Sequence, residues 1–375
     1  MIIAFDAKRA FQNRTGLGEY SRGLISGLVH QYPEHHYHLL GPALNRDVWD
    51  PARLLAGHVY LHLSPPGTGA LWRTWLSGIH AGRIGAQVFH GLSHELPTGL
   101  PAKVRKVVTM HDLLFRQFPE DYPLADRIIY DYKFRSACKR ADTIIAISEA
   151  TRLSLIDTYR IDPSRIKVIY QGCRAVFYQR EDTIDRDLRL SKMNISTPYL
   201  LSVGSVIRRK NLHQVVQALA MLPPDLRIPL VVVGRGKSYL REVLTLAAQL
   251  GIESLIRQVQ PVDDQDLAAL YQASSALVYM SRAEGFGIPV LEALASGTPV
   301  LTSSRSSLPE AGGEGALYAD PDDPAHIRDG LARLLTDTDF CGALRIGAQA
   351  HLHRFRPEKL SAQLMEVYEQ AGTYS

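Results

Sequence analysis

Short runs rich in β-branched residues alternate with amphipathic stretches along almost the whole chain. Among the amphipathic stretches, Glu19–His30 and Leu124–Arg140 predict helices. Strands that alternate with helices are typical of α/β proteins, because each helix returns the chain to the start of the next parallel strand. The predicted strands are IIAFDAK, HLLG, AQVFH, VRKVVTM, TIIAIS and IKVIYQG, followed by YLLSVGS, IPLVVVG, ALVYMS and PVLTSS.

The alternation is interrupted once, by the segment FYQREDTIDRDLRLSKMNISTPY. This segment is polar and poor in apolar periodicity, which predicts a linker. The length of 375 residues agrees, because it corresponds to about two average domains. We therefore predict two doubly wound, Rossmann-like domains, over 1–185 and 186–357, that face a central cleft. We expect a last helix, over about 358–375, to pack back on the first domain.

The charge distribution argues against one class of partner. Residues 1–185 carry 23 Lys and Arg against 18 Asp and Glu, and the remainder carries 19 against 20. This excess is too small for a protein that binds nucleic acid, in which basic residues form a dense face. It would suit contact with anionic lipid or an anionic acceptor, with an ordinary solvated surface as the alternative.

Hydropathy and cysteine usage bear on location. No apolar run approaches the roughly 20 residues of a membrane helix, and the first predicted strand begins without a preceding signal peptide. Cys138, Cys173 and Cys341 are far apart, which is typical of buried apolar residues in a reducing compartment. We predict a cytoplasmic protein that is at most peripheral at the inner face of the membrane.

A glycine-rich turn, EGFGIPVLE, follows the predicted strand ALVYMS and lies between Glu284 and Glu292. Pro289 suits the first turn of a helix and Gly297 the position after its end, so we predict a helix from about Pro289 to Ser296. The N-terminus of a helix attracts anions. We therefore predict a phosphate on this turn, with one glutamate near the group on each side of it. The alternative is a solvated Glu284 and a Glu292 that only complements the helix dipole.

Polar residues also follow two other predicted strands. Arg209 and Lys210 come after YLLSVGS, where positive charges oppose the dipole of the next helix. Such a local conflict is typical of a functional site, and two cations there could neutralise a diphosphate leaving group without a metal. His111 follows VRKVVTM and could bind a sugar hydroxyl. A basic helix start and a core histidine are the respective alternatives.

Other motifs are weaker. Gly16 and Gly18 resemble a dinucleotide fingerprint only loosely, and GRGKS at Gly234–Ser238 lacks the first glycine of a phosphate-binding loop. Each Asp-x-Asp pair lies in a polar flank, so we expect solvated carboxylates and no metal site. These pairs are Asp185–Asp187, Asp264–Asp266 and Asp337–Asp339.

The blocks EGFGIPVLE, SVGS with RKN, VVVG, PEAGGEGALYADPDD and HDLLF together resemble glycosyltransferase family 4 over nearly the whole chain. The resemblance implies the GT-B fold, with an acceptor-binding first domain and a donor-binding second domain. It also implies retaining transfer of a hexose from a nucleotide-diphosphate sugar, without a metal or a cofactor. The alternative is a catalytically inert sugar-nucleotide-binding or scaffold protein of the same fold. A nicotinamide-dependent dehydrogenase is disfavoured, since no complete fingerprint follows the first strand.

The segments RTGLGEY and HDLLFRQFPEDYP look most like the branch rich in bacterial mannosyltransferases. That likeness implies GDP-mannose as the donor and a glycan or lipid-linked glycan as the acceptor, in surface polysaccharide biosynthesis. In the mechanism implied for the family, the departing diphosphate itself accepts the proton of the acceptor. A strong enzyme base is then unnecessary.

The resemblance also implies roles for particular residues. Arg209 and Lys210 would hold the diphosphate, and His111 would face the reacting side of the sugar. Glu292 would bind the ribose hydroxyls, and Glu284 the donor sugar. The further donor-binding residues implied are Gly16, Gly18, Gly204, Gly234, Val262, Gly285, Phe286, Gly287 and Ile288.

Overall fold

The structure is a computed structural model that describes residues 1–14, 16–54, 57–236, 238–260 and 263–370. The chain divides into two compact units. The first comprises Met1–Gly172 and the segment from Phe355 onward, and the second comprises Cys173–Arg354. Each unit has its own parallel sheet and hydrophobic core, which confirms the predicted pair of doubly wound domains.

The first unit contains a seven-stranded sheet in the order β3-β2-β1-β4-β5-β6-β7, with every pair parallel. Its strands are β1 (Ile2–Asp6), β2 (His36–Gly41), β3 (Val59–Leu63), β4 (Val88–Gly91), β5 (Arg105–Met110), β6 (Thr143–Ala146) and β7 (Ile166–Val168). Its helices before the crossing into the second unit are α1 (Lys8–Gln12), α2 (Leu17–Gln31), α3 (Gly69–Leu71), α4 (Ser77–Arg83), α5 (Leu114–Gln117), α6 (Leu124–Arg140) and α7 (Glu149–Tyr159).

The second unit contains a six-stranded parallel sheet in the order β10-β9-β8-β11-β12-β13. Its strands are β8 (Leu200–Val203), β9 (Leu230–Val233), β10 (Ile256–Val259), β11 (Ala276–Tyr279), β12 (Val300–Ser303) and β13 (Ala316–Ala319). Its helices are α8 (Thr183–Lys192), α9 (Leu212–Met221), α10 (Ser238–Gln249), α11 (Asp264–Ala273), α12 (Ile288–Ala295), α13 (Leu308–Gly312), α14 (Pro324–Thr336) and α15 (Thr338–Leu352). A last helix, α16 (Pro357–Glu369), returns to the first unit.

The central strands form where the sequence has uninterrupted apolar runs. All four residues of β9 and of β11 are buried, as expected for strands covered by helices on both faces of a parallel sheet. The strands that the sequence analysis missed are β3, β10 and β13, which lie at sheet edges. In β3 only the first residue is buried, and in β10 and β13 the two middle residues are not buried, so these edge strands lack the continuous burial of the central ones.

The order of the strands fixes where a ligand can bind. In the first sheet β1 lies between β2 and β4, and in the second β8 lies between β9 and β11. The chain thus winds outward in both directions from these central strands, which leaves a crevice beyond their carboxyl ends. The loops after β1 and β4, and those after β8 and β11, are therefore the places to look for functional side chains.

The boundary between the units differs from the sequence-based one. Residues 173–185, which we assigned to the first domain, belong to the second unit. The guanidinium of Arg180 donates to the carbonyl oxygen of Ser296 at 2.7 Å, for example. Helix α16 belongs to the first unit, where the hydroxyl of Tyr368 lies 2.6 Å from Nδ1 of His90.

Two further observations concern location and redox chemistry. No helix in the described part of the chain has both the length and the hydropathy to cross a bilayer. Cys138, Cys173 and Cys341 are free and buried. Burial raises the pKa of the Cys138 and Cys173 thiols to about 12, so these two residues stay protonated and apolar in character.

Candidate active site

The second unit brings two cations and a carboxylate together at its switch point. Arg209 and Lys210 lie in the short 3-10 turn that follows β8, and Glu284 lies in the loop after β11. Nζ of Lys210 is 2.5 Å from Oε1 of Glu284, and a guanidinium nitrogen of Arg209 is 3.1 Å from the same oxygen. Two positive charges thus share one negative charge, which leaves a net charge of +1 for an anion to neutralise.

The side chains of this cluster are largely buried, which strengthens their electrostatic interactions. The side chains of Arg209 and Glu284 are only 9% and 10% exposed. Burial alone would raise the pKa of Glu284, but the charges of Lys210 and Arg209 outweigh it and lower that pKa. Burial also lowers the pKa of Lys210, and Glu284 opposes that change. Charges held in such a protected environment act on a ligand more strongly than solvated ones.

Tyr279, the last residue of β11, completes the cluster. Its hydroxyl accepts a hydrogen bond from Nζ of Lys210 and donates one to Oε1 of Glu284 at 3.1 Å. Nζ of Lys210 also lies 4.7 Å from the centroid of the Tyr279 ring, within range of a cation–π interaction. Burial and the Glu284 charge raise the pKa of Tyr279, so its hydroxyl keeps the proton it donates.

Arg208, the residue before Arg209 and Lys210, contacts residues outside the cluster. The side chain of Arg208 is 65% exposed and pairs with Glu242 at 2.6 Å. Its guanidinium also lies over the ring of Tyr239, 5.7 Å from the centroid. Arg209 is therefore the arginine of this turn that belongs to the cluster.

The glycine-rich turn leads directly into α12. Gly287 adopts a positive φ of 119° at the N-cap, and a Cβ there would lie 2.7 Å from the side chain of Leu308. Ser307 donates from its hydroxyl toward the carbonyls of Glu284 and Phe286, at 2.9 and 2.8 Å. Phe286 is 2% exposed and anchors the turn in the core. The structure thus holds Gly285 to Ile288 at the positive end of the helix dipole of α12, and the anion site there stays a prediction.

Glu292 is a buried carboxyl on α12. Oε2 accepts a hydrogen bond from the hydroxyl of Tyr271 at 3.0 Å, and Oε1 lies 3.5 Å from a guanidinium nitrogen of Arg174. Burial raises the pKa of Glu292 to about 7, and the contacts with Arg174 and Tyr271 oppose the rise. The ionised form is therefore finely balanced near neutral pH. A ligand with two hydroxyl donors would favour it.

Glycines end the two strands beside the cluster. Gly204 follows β8 with a φ of +130°, and a Cβ on Gly234 after β9 would lie 1.9 Å from the carbonyl oxygen of Gly204. A side chain is therefore excluded at Gly234. Val262, which the sequence analysis placed in the base pocket, lies outside the described residues.

His111 belongs to the first unit and is 4% exposed. Its Nε2 donates to the carbonyl oxygen of Leu92 at 2.9 Å, because a carbonyl can only accept. Burial lowers the pKa of His111 to about 4, so the ring is neutral at physiological pH. The Nδ1 lone pair of this neutral ring is then an acceptor that suits a hydroxyl group.

Gly16 and Gly18 lie at the start of α2 in the same unit. Gly16 is the N-cap residue with a φ of 35°, and no atom lies within 4 Å of a Cβ built on it. A Cβ on Gly18 would lie 2.0 Å from the carbonyl oxygen of Asn13. Gly18 is thus required for the close packing of this turn, whereas Gly16 leaves open space next to the backbone.

The Asp-x-Asp pairs take part in contacts of other kinds. Asp264 pairs with Arg174, and Asp266 pairs with Arg189 at 3.0 Å. Asp337 caps α15 by accepting from the amide of Phe340 at 2.9 Å. Across the described ranges, no group of three or more His, Cys, Asp or Glu side chains is arranged to hold a metal ion.

The comparisons with known proteins agree with this geometry. Residues 186–351 match the family described as Glycosyl transferases group 1, and residues 15–175 match the one described as Glycosyltransferase Family 4. The chain is 31% identical to O-antigen chain mannosyltransferase B of Escherichia coli, over 75% of its own length and 74% of the relative's. The chain belongs to the family 4 glycosyltransferases.

This family 4 glycosyltransferase has other relatives. It is 31% identical to the D-inositol 3-phosphate glycosyltransferase of Thermobispora bispora, over 62% of its own length and 56% of the relative's. The solved structure of Alr3699/HepE of Anabaena in complex with UDP-glucose superposes with a TM-score of 0.74 at 18% identity, over 99% of this chain and 100% of the other. At that identity the likeness concerns the fold, which is the predicted GT-B fold.

Three residues at the candidate site were missed by the sequence analysis. Tyr279 lies two residues before the end of the predicted strand ALVYMS, and that position was a usable signal. Arg174 lies 118 residues before Glu292 in the chain, and Tyr271 lies 21 residues before it. No local pattern connects these residues to Glu292, because only the folded sheet brings them together.

Proposed function

We propose that this glycosyltransferase moves mannose from GDP-mannose onto a glycan or a lipid-linked glycan of a surface polysaccharide, with retention of configuration at the anomeric carbon. The identity of 31% to an O-antigen chain mannosyltransferase supports the sugar and the type of acceptor. The buried cluster of Arg209, Lys210 and Glu284 carries the reaction type. Its net positive charge suits a leaving diphosphate.

The chemistry follows from where charge develops. As the bond between the sugar and the diphosphate breaks, negative charge grows on the phosphate oxygens and positive character on the anomeric carbon. Arg209, Lys210 and the N-terminus of α12 stabilise the phosphate charge, and one such group contributes on the order of 3 kcal/mol. These fixed charges supply what a divalent metal supplies elsewhere, so we propose that transfer needs no metal ion and no cofactor.

Other residues bind the donor. Glu292 accepts hydrogen bonds from the two ribose hydroxyls, and Glu284 with the amides of Gly285 to Ile288 binds the sugar. Gly204 and Gly234 let the backbone approach the nucleotide, and Gly16 and Gly18 shape the first loop for the phosphates. His111 accepts a hydrogen bond from a sugar hydroxyl through Nδ1. These roles are consistent with the contacts and burial described above.

The acceptor hydroxyl must lose its proton to a base during transfer. His111 is a weak base, because burial lowers its pKa to about 4. Glu284 is a poor candidate for a nucleophile, since two cations and the hydroxyl of Tyr279 contact its Oε1 and reduce the electron density available for attack. The departing diphosphate is then the base, and it takes the proton on the face of the sugar that it leaves. The incoming hydroxyl bonds on that same face, which accounts for retention.

A ligand screen and a product analysis test the proposal together. GDP-mannose should raise the thermal midpoint more than UDP-glucose or ADP-glucose at equal concentration, because a tighter ligand stabilises the folded state more. Proton NMR of the product should show the anomeric configuration of the donor. Preference for a uridine or adenosine sugar would overturn the donor assignment, and an inverted product would overturn the mechanism.

The solvent-facing side of α6 supports peripheral contact with the inner face of the membrane. Leu124, Ile128 and Tyr132 are 65%, 63% and 74% exposed, and their spacing of four residues places them on one face. Arg135 and Lys139 continue this exposed face. The helix carries five basic and two acidic residues. An apolar face with adjacent basic residues suits an anionic lipid surface.

A further inference from the structure

A buried ion network lies at the switch point of the first sheet, beyond the carboxyl ends of β1 and β4. Arg73 donates to Asp6 at 2.8 Å, to Glu95 at 2.7 Å and to the hydroxyl of Ser93 at 3.1 Å. Asp6 ends β1, and Ser93 and Glu95 follow β4. Lys133 takes the second oxygen of Glu95 at 3.2 Å. The two carboxylates of this network are therefore fully engaged.

Two further cations stand beside this network. Lys8 and Arg9 open α1, directly after β1, and both are partly buried. Within the described ranges neither side chain pairs with a carboxylate, and the guanidinium of Arg9 donates a long hydrogen bond to the side chain of Asn13 at 3.5 Å. Nε of Arg9 is buried without a hydrogen-bond partner among the described residues.

The surroundings make these cations costly to keep. Burial and the charge of Arg73 lower the pKa of Lys8 and of Arg9. The charges of Asp6 and Glu95 oppose this lowering in part, but among the described residues neither carboxylate forms an ion pair with either cation. Partly buried charges of one sign without a directly paired counterion destabilise a fold. Such a local conflict is typical of a functional position. Two solvated cations would be the ordinary alternative, but burial of the Arg9 Nε atom argues against it.

We propose that Lys8 and Arg9 form a binding site for a phosphate group of the acceptor. The location supports this, since the site lies beyond the carboxyl ends of β1 and β4, where α/β sheets bind ligands. Arg9 is also near His94 and His111, whose pKa values its charge helps to lower. A phosphate there would supply a directly paired counterion and would complete the hydrogen bonding of the guanidinium.

This inference rests on the proposed function, because only the proposed transfer defines an acceptor. The donor also carries phosphate, so the experiment must distinguish the two sources of phosphate. Two probes distinguish the sources. Inorganic phosphate reports on any phosphate site, and GDP reports on the donor site alone. Neither probe requires transfer activity, so phosphate binding can succeed or fail independently of the proposed mannosyl transfer.

The experiment compares four proteins by thermal unfolding in phosphate and in chloride of equal ionic strength. They are the wild type, Lys8→Gln/Arg9→Gln, Lys210→Ala, and the control Arg46→Gln/Lys103→Gln, which removes two exposed charges from the same unit. Phosphate should raise the midpoint of the wild type, the control and Lys210→Ala. The rise should be clearly smaller in Lys8→Gln/Arg9→Gln than in the control, because only the donor site then remains to bind phosphate. GDP affinity should stay within about twofold of the wild type in that variant, against a loss of tenfold or more in Lys210→Ala.

Two results would overturn the proposal. One is a phosphate effect that is as large in Lys8→Gln/Arg9→Gln as in the control, or that is missing in the wild type. The other is a loss of GDP affinity in that variant as large as in Lys210→Ala, which would assign the cations to the donor diphosphate. The single variants Lys8→Gln and Arg9→Gln provide the same comparison where the double variant does not fold, as judged by circular dichroism.

Discussion

The ammonium group of Lys210 lies 2.5 Å from the carboxylate of Glu284, on the loop after the neighbouring strand. The second cation, Arg209, contacts the same oxygen. Glu284 therefore fixes the position of both cations, and the three side chains together carry one net positive charge. A diphosphate that binds here meets charges that are already oriented, and little reorganisation is required at the moment of transfer.

Lys210→Ala should lower turnover by about 100-fold or more, because the variant loses a charge that stabilises the leaving diphosphate. Steady-state kinetics with GDP-mannose would measure turnover, and calorimetry with GDP would measure the affinity for the nucleotide diphosphate. Arg208→Ala, which removes the exposed neighbouring cation, is the matched control and should leave both values near those of the wild type. Unchanged turnover in Lys210→Ala would show that Lys210 does not stabilise the leaving diphosphate.

Tyr279→Phe should lower kcat by roughly tenfold, since the variant deletes one hydroxyl that contacts two charged groups. The effect on KM should be smaller, because the hydroxyl orients the cluster and does not bind the nucleotide itself. Tyr318→Phe is the control, as it removes a hydrogen bond to Gly313 away from the cluster. If Tyr279→Phe and Tyr318→Phe lose the same stability and have the same kcat, Tyr279 has a structural role only.

Glu292→Gln should change how stability depends on pH. The folded pKa is about 7 against an ordinary value of 4.5, so the folded protein holds a proton between these values that the unfolded chain has released. The contribution of Glu292 to the free energy of unfolding is thus fully present below about pH 4.5 and is lost by about 3 kcal/mol as the pH rises through 7. Chemical denaturation across this range should show that fall in the wild type and not in Glu292→Gln.

Glu292 should also make nucleotide binding depend on pH, with a sign opposite to that of its effect on stability. Hydroxyl donors of the ribose favour the carboxylate, so the affinity of the wild type for GDP should increase as the pH rises through about 7. In Glu292→Gln the affinity should be lower and independent of pH over that range. Calorimetry that gives parallel pH profiles for the two proteins would refute the ribose assignment.

Excess chelator should leave transfer intact, because Arg209, Lys210 and the N-terminus of α12 supply the charge that a metal would otherwise provide. Initial rates with EDTA, and after magnesium or manganese is added back, would measure this. A rate that vanishes with EDTA and returns with either ion would contradict the metal-independent mechanism.

Ile128→Asp should weaken binding to vesicles of anionic lipid, since it places a negative charge on the exposed apolar face of α6. Ile184→Asp is the matched control, because Ile184 is 78% exposed on α8 in the other unit. Sedimentation with anionic and with zwitterionic vesicles would separate the charge effect from the apolar one. Equal binding by both variants would exclude α6 as the contact.

Much of this architecture could be predicted from sequence for a physical reason. Central strands such as β9 and β11 are buried on both faces and leave continuous apolar runs, and the turn before α12 carries glycine and proline at diagnostic positions. The edge strands β3, β10 and β13 are buried only in part, and polar residues interrupt the sequences of β3 and β10. The contacts of Glu292 depend on Arg174 and Tyr271, and only the folded chain brings these residues together.

The return of α16 to the first unit makes the second unit an insertion within the first. Leu364, Met365 and Tyr368 contribute to the same core as strands β1 and β2. During synthesis, the second unit can therefore be completed from contiguous chain while the earlier one still lacks part of its interior. The half that begins first at the ribosome is the half that is finished last.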